Sequence, residues 1–334
     1  MPLDSELHYT PEIAHATAPL YERVKRVIPE IEWPFHAPYV AAINRLKQQQ
    51  NAVILAHNYM TPEIFHCVAD IVGDSLALAR KAVETRAGVI VLAGVHFMAE
   101  TAKLLNPDKV VLIPDAEAGC SLASSITPED VRGLRAQYPG VPVVTYVNTS
   151  AAVKAECDVC CTSGNAVEIV ESLGVPQVIF VPDGYLARYV ASKTKIEIIR
   201  WEGRCEVHER FSGAQIRDYR QNFDRLTVIA HPECGPDVLA EADFAGSTAR
   251  MAEFVAQRRP ERVLLITECS MSDNLAVEFP EVEFVRPCNL CPHMKKITLE
   301  KIFRSLQTLT PRVEIDPAVA VPARRAVDRM LAIK

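Results

Sequence analysis

No stretch of this 334-residue chain approaches the roughly 20 consecutive apolar residues that span a bilayer. The opening residues, MPLDSELHYT, lack the basic and apolar regions of a secretory signal. Neither membrane insertion nor export is expected, and a cytoplasmic location is. The chain also lacks any cluster of Lys and Arg interleaved with aromatics, and its formal charge is −6. It therefore carries no electrostatic footprint for nucleic acid. Cysteine, by contrast, is plentiful at ten residues. In a reducing compartment that number argues against a disulfide framework and for metal ligation or catalysis.

Three of the cysteines, Cys120, Cys205 and Cys291, lie 85 and 86 residues apart, and each closes one copy of a repeated unit. The first copy runs from VILAHNYM (53–60) through ADIVGDS (69–75) and VIVLAG (89–94) to VVLIPDAEAGC, ending at Cys120. The second runs from VVTYVNT (143–149) through CDVCCTS (157–163) and VIFVPDG (178–184) to IIRWEGRC, ending at Cys205. The third has TVIAHPEC (227–234), ADFAGST (242–248), VLLITE (263–268) and EFVRPCNLC, ending at Cys291. A fixed internal period means one supersecondary unit used several times.

Each unit alternates short Val- and Ile-rich runs with stretches of helical periodicity, such as 76–87, 166–173 and 249–258. The runs have the length and composition of buried parallel strands. The expected fold is therefore α/β, with three pseudo-threefold-related αβα domains, short parallel sheets and an active site at the common axis. The expected boundaries are a helical extension over 1–50, then units over 51–125, 126–210 and 211–293. Closing helices over 294–334 are expected to pack back on the first unit. In such sheets ligands bind beyond the carboxyl ends of the strands, where the chemically interesting residues fall.

Structural zinc brings its ligands in local pairs, whereas these three cysteines come singly from distant loops. An iron-sulfur cluster suits them better. Four-iron clusters usually take four thiolates, so three leave one iron open as a Lewis acid. The competing reading is three buried, inert cysteines. Two CxxC pairs, Cys157 with Cys160 and Cys288 with Cys291, offer a zinc site or a redox pair as further alternatives. Ser75, Ser163 and Ser247 each sit at a strand-to-helix junction, where a serine caps the helix. Three helix N-termini facing one axis would suit carboxylates or phosphates. The first-strand loops add His57 and Tyr59, Tyr146 and Asn148, and His231 and Glu233, residue types suited to proton transfer and carbonyl polarisation.

The set AHNYM, GDSLALAR, FMAETAK, AGCSLA, VTYVNT, WEGRCEVHERF, AHPEC, AGSTARM and CNLCPHMK, in this order over 51–298, resembles the quinolinate synthase family of NAD biosynthesis. The resemblance implies a [4Fe-4S] cluster held by Cys120, Cys205 and Cys291. It places His57, Tyr59, Tyr146, Asn148, His208, His231 and Glu233 around the substrate, with Glu233, Tyr59 and the three histidines in catalytic roles. Ser75, Ser163, Ser247 and Thr248 fall where carboxylate or phosphate is held, and Met98 on the pocket wall. The implied reaction joins iminoaspartate and dihydroxyacetone phosphate to give quinolinate, phosphate and water. Iminoaspartate would come from an L-aspartate oxidase or an aspartate dehydrogenase. The resemblance also implies that Cys288 with Cys291 could form a regulatory disulfide. Another four-iron hydro-lyase and a redox-sensing iron-sulfur protein remain as alternatives.

Overall fold

The apolar runs pair into three separate four-stranded sheets in which every strand is parallel to its neighbours. This architecture is seen in a computed structural model that describes residues 7–333. The first sheet contains β1 (Ala52–His57), β2 (Ile71–Gly73), β3 (Val89–Ala93) and β4 (Val110–Leu112), in the order β2-β1-β3-β4. The second contains β5 (Val143–Tyr146), β6 (Val159–Cys161), β7 (Gln177–Val181) and β8 (Glu197–Arg200), ordered β6-β5-β7-β8. The third contains β9 (Leu226–Ala230), β10 (Phe244–Ala245), β11 (Arg262–Ile266) and β12 (Glu283–Val285), ordered β10-β9-β11-β12. One topology is thus used three times, and the chain is a set of three αβα domains.

The helices repeat with the strands. Trp33–Gln49, Pro128–Gln137 and Gly213–Asn222 precede the three first strands, and Ser75–Glu84, Ala166–Ser172 and Thr248–Arg258 follow the second strands. With helices on both faces, the two central strands of each sheet are mostly apolar. Ile54, Leu55, Val91, Val144, Phe180, Val228 and Leu264 are fully buried, each worth about 1.5–3 kcal/mol of transfer free energy.

An aspartate before each second strand fastens the amino end of each sheet. Asp70, Asp158 and Asp243 accept through Oδ2 from the backbone N–H of Ile54, Val143 and Val228, each at 2.8 Å. Each meets a cation from the helix that precedes the sheet: Lys47 at 2.7 Å, Arg135 at 2.6 Å and Arg220 at 2.9 Å. The flanks complete the body. Leu299–Thr308 packs on Trp33–Gln49, and Pro317–Ala332 bridges two units, packing on Ala151–Ala155 and β6 of the second and on His96–Leu105 of the first. No helix among the described residues is long and apolar enough to cross a membrane.

Candidate active site

In an order such as β2-β1-β3-β4 the chain reverses direction across the sheet between the first and third strands, which opens a crevice at their carboxyl ends. Each unit has that crevice, and all three open on one cavity. His57 and Tyr146 reach it from the last residues of β1 and β5, Tyr59 and Asn148 from just beyond them, and His231 and Glu233 from the loop after β9. Met98 lines it from the helix after β3. Cys120, Cys205, His208 and Cys291 arrive from the loops after the fourth strands.

The three cysteines occupy one local structure. Each carbonyl accepts from the residue four positions on, Ser124, Glu209 and Lys295, at 2.9–3.1 Å. A single 3₁₀ turn starts three residues after each cysteine, at Ala123, His208 and Met294. The backbone N–H groups of Leu122 and Ala123 near the Cys120 sulfur, of Val207 and His208 near Cys205, and of His293 and Met294 near Cys291 each favour the thiolate. Burial nonetheless pushes the free thiols up, Cys120 to about 12 and Cys205 well above the ordinary cysteine range. Without a metal they therefore hold their protons. Among the described residues the three sulfurs do not gather within the 4.8 Å that one shared ion would need. They suit a cluster that meets each thiolate on a different iron. A tighter trio, Cys205, His208 and Glu233, does lie within 4.8 Å, but its carboxylate and imidazole are already engaged.

Backbone geometry sets two of the histidines. The N–H of Tyr59 donates to His57 Nδ1 at 3.2 Å, and the N–H of Glu233 donates to His231 Nδ1 at 3.4 Å. Both rings therefore carry their proton on Nε2. His231 Nε2 meets Ser163 Oγ at 3.2 Å. Burial lowers His57 to about 4 and His231 to about 3, partly offset by Glu233, so both are neutral at pH 7. Burial alone would raise Glu233. The neighbouring His231 and His208, with the hydrogen bond from Tyr146, outweigh it and hold the carboxyl well below its usual range. Tyr146 donates to Glu233 Oε1 at 2.5 Å, and His208 Nδ1 lies 2.8 Å from Oε2. Burial, with Glu233 next, raises Tyr59 and Tyr146 well above ordinary phenols, so both keep their protons.

The serines depart from the expected pattern of three caps. Only Ser247 caps a helix, accepting from Arg250 N–H at 3.4 Å, and it does not line the cavity. Ser75 is the first helical residue, because Asp74 before it takes the cap. At the second unit Gly164 and Asn165 lengthen the loop, so Ser163 stands three residues before its helix, and Asn165 turns its Oδ1 to Thr162. The difference leaves the Ser75 and Ser163 side chains on the cavity wall. Thr248 also lines it and is oriented by Asn58 at 2.8 Å. Asn148 points a buried Oδ1 with no protein partner.

Several residues that sequence reasoning missed support this cavity. Thr267 and Glu268 follow β11, where the same rule of strand carboxyl ends could have found them. Glu268 is fully buried and pairs with Lys295 at 2.9 Å; Lys295 also donates to the Tyr59 carbonyl at 2.8 Å. Lys154, likewise buried, donates to the carbonyls of Val147 and Thr149, on either side of Asn148. The cysteine pairs also differ from expectation. Cys288 is bonded to Cys269, which carried no spacing signal, while Cys291, Cys157 and Cys160 are free. Pairing of Cys288 with Cys291 and of Cys157 with Cys160 is therefore not seen. Nor do the two CxxC pairs form a metal-binding group among the described residues.

Residues 41–332 match the quinolinate synthetase A protein family. The chain is 68% identical to quinolinate synthase 1 of Mesorhizobium japonicum over 316 residues, 95% of this chain and 98% of that one. It is 65% identical to the quinolinate synthase of Agrobacterium fabrum over 318 residues, 95% of this chain and 92% of the other. With that of Xylella fastidiosa it shares 67% identity over 294 residues, 88% and 87% of the two chains. These matches cover the three units and the cavity between them, and the chain belongs to the quinolinate synthetase A protein family.

Proposed function

We propose that this enzyme makes quinolinate from iminoaspartate and dihydroxyacetone phosphate, releasing phosphate and water, with a [4Fe-4S] cluster on Cys120, Cys205 and Cys291. The observation that carries the reading is the meeting, in one cavity, of three like-built cysteine turns and the ionised Glu233 held among Tyr146, His208 and His231. When bound, a cluster with three protein thiolates supplies one open iron, a Lewis acid for a hydroxyl or carboxylate.

The side chains then divide the remaining work. Glu233 is the principal acid-base group. It is ionised and can accept a proton from carbon or nitrogen of a substrate. Tyr59 stays protonated and can polarise a carbonyl oxygen by donation, while Tyr146, whose proton goes to Glu233 Oε1, holds that carboxylate in place. The Nε2–H of neutral His57 supplies a further donor, and Ser75, Ser163 and Thr248 supply hydroxyls for carboxylate and phosphate oxygens. Asn148 Oδ1 has an acceptor position open to a substrate N–H or O–H.

An anaerobic assay of the reconstituted protein for quinolinate, with Cys205→Ser alongside, tests this. Quinolinate from wild type alone, with about four irons per chain lost in the variant, is expected. A four-iron wild type that makes none would return the hydro-lyase or the redox sensor to first place.

A further inference from the structure

We propose that Lys154 is a positioning residue for substrate binding: from behind the cavity wall its buried ammonium holds the backbone around Asn148 and supplies the positive charge that the cavity lining lacks. The inference deepens the reading above and rests on it for the anionic substrates.

The lining is one-sided in charge. The carboxylates of Asp74, Glu206, Glu233 and Glu268 face the cavity, and among the described residues no lysine or arginine does. Both proposed substrates are nevertheless anions, one a phosphate ester and the other a dicarboxylate. The missing charge lies one layer deeper. Lys154, in the helix Ala151–Ala155, is 0% exposed and heads the fully buried side chains by volume. Its Nζ donates to the carbonyl of Val147 at 2.8 Å and to that of Thr149. It also stands over the ring of Phe97, a residue of the cavity wall, 5.5 Å from the ring centre. No carboxylate pairs with it among the described residues. Glu100 acts on it only from beyond ion-pair distance, with Oε2 taken by the N–H of Ala151 at 2.9 Å.

Burial works against a charge here. The neighbours offset that cost, because two carbonyl oxygens and the negative face of a ring match the three N–H donors of an ammonium. A neutral amine would leave its lone pair among acceptors. The charge reaches the cavity through the peptide that it holds. A trans peptide turns its N–H away from its carbonyl, so the unit whose carbonyl takes Lys154 points the Asn148 N–H to the opposite side. There no backbone carbonyl meets it among the described residues. The ammonium polarises that peptide, and Asn148 offers the N–H beside its unpartnered Oδ1. A buried cation without a carboxylate is stabilised by an anion entering the cavity, and by linkage the anion's affinity rises by the same factor.

Calorimetry of the reconstituted protein with dihydroxyacetone phosphate alone, and with inorganic phosphate alone, tests the role. Lys154→Met, similar in length but uncharged, should weaken both about 30-fold, the order expected for removing one unit charge at an effective dielectric of about 20. Lys154→Gln, which keeps N–H donors without the charge, should weaken them at least about tenfold. In the quinolinate assay of Lys154→Met, KM for dihydroxyacetone phosphate should rise in step with Kd while kcat stays within about threefold of wild type. Affinity within about threefold of wild type in either variant would make the lysine a tie for the loop alone and overturn the proposal. A fall in kcat at unchanged Kd would do the same. Should both variants fail to fold, nitrogen-15 NMR of lysine-labelled wild type decides. The buried Lys154 should give an ammonium signal that is protected from solvent exchange and shifts when inorganic phosphate is added; an amine signal, or no shift, rejects the role. Should wild type bind the phosphates and make no quinolinate, the reaction reading falls while the affinities still judge Lys154. A wild type that binds neither overturns both.

Discussion

The amino and carboxyl ends of the three sheets have diverged to different degrees. At the amino ends the same aspartate takes the same backbone N–H and meets a cation from the same helix in all three units. At the carboxyl ends the equivalent positions hold His57 with Tyr59, Tyr146 with Asn148, and His231 with Glu233. Only the cysteine turns remain alike there. The amino end solves a problem every unit shares, holding the first strand's start to the second strand. The carboxyl end serves one asymmetric ligand set, so three copies of one residue would waste two. A repeat keeps its residues where each copy does the same work and loses them where the copies face one cavity from different sides.

The sharpest way to break the symmetry is at its least symmetric point. Glu233→Gln keeps size and buries no new charge, so the cysteine turns and the cluster spectrum should be unaffected. Turnover should fall by about 10²–10⁴-fold, the range for loss of a general acid-base group. Activity within about tenfold of wild type would remove Glu233 from its assigned part.

Acidification separates the two ends next. His57 is held at about 4 in the folded protein, below the ~6.5 of an unfolded imidazole. Its contribution to stability is therefore complete above pH ~6.5 and is lost as pH falls toward 4, because the unfolded chain then binds the extra proton. In denaturant titrations of cluster-free protein, His57→Gln should flatten the pH slope between those limits by up to about 1.4 kcal/mol per pH unit. An unchanged slope would mean that His57 is not buried as a neutral ring.

The clamps should show the reverse pattern. Asp70→Asn, Asp158→Asn and Asp243→Asn each lose the partly exposed ion pair and weaken a charge-assisted hydrogen bond, for about 1–2 kcal/mol of stability. Activity per folded molecule should stay within about twofold of wild type. Three similar costs in chemical denaturation would bear out the equivalence of the units. A large activity loss in any one of them would tie the two ends together.

How much of this could be read from the chain follows the same division. The strands, the period and the cysteine triplet were legible because they rest on local patterns that occur three times. Glu233, Tyr59 and the histidines were legible because they lie next to those patterns. Thr267 was not, since its partners Tyr59 and His208 lie 208 and 59 positions away in the chain, and nothing local marks a threonine at a strand end. The same is true of Lys295, whose bond to the Tyr59 carbonyl crosses 236 positions. Cys269 paired with Cys288 because the fold returns the chain from β11 to the loop after β12, which no CxxC spacing encodes. The serines misled for a different reason: the repeat aligned them correctly, but capping depends on which neighbour reaches the free N–H first, and Asp74 does so before Ser75.

That misreading gives the finest test of the comparison. Ser75 and Ser247 occupy equivalent places in the repeat, yet one hydroxyl faces the cavity and the other serves its own helix. Ser247→Ala should cost about 1 kcal/mol of stability, the usual value of a lost cap, and this should appear as a lower midpoint in denaturant. Ser75→Ala should leave that midpoint unchanged, because Asp74 still caps the helix. It should instead raise KM by about tenfold, as expected for losing one hydrogen bond to a charged oxygen. If both variants changed the same quantity, the serines would still be doing one job, and divergence at the carboxyl ends would stop short of these helices.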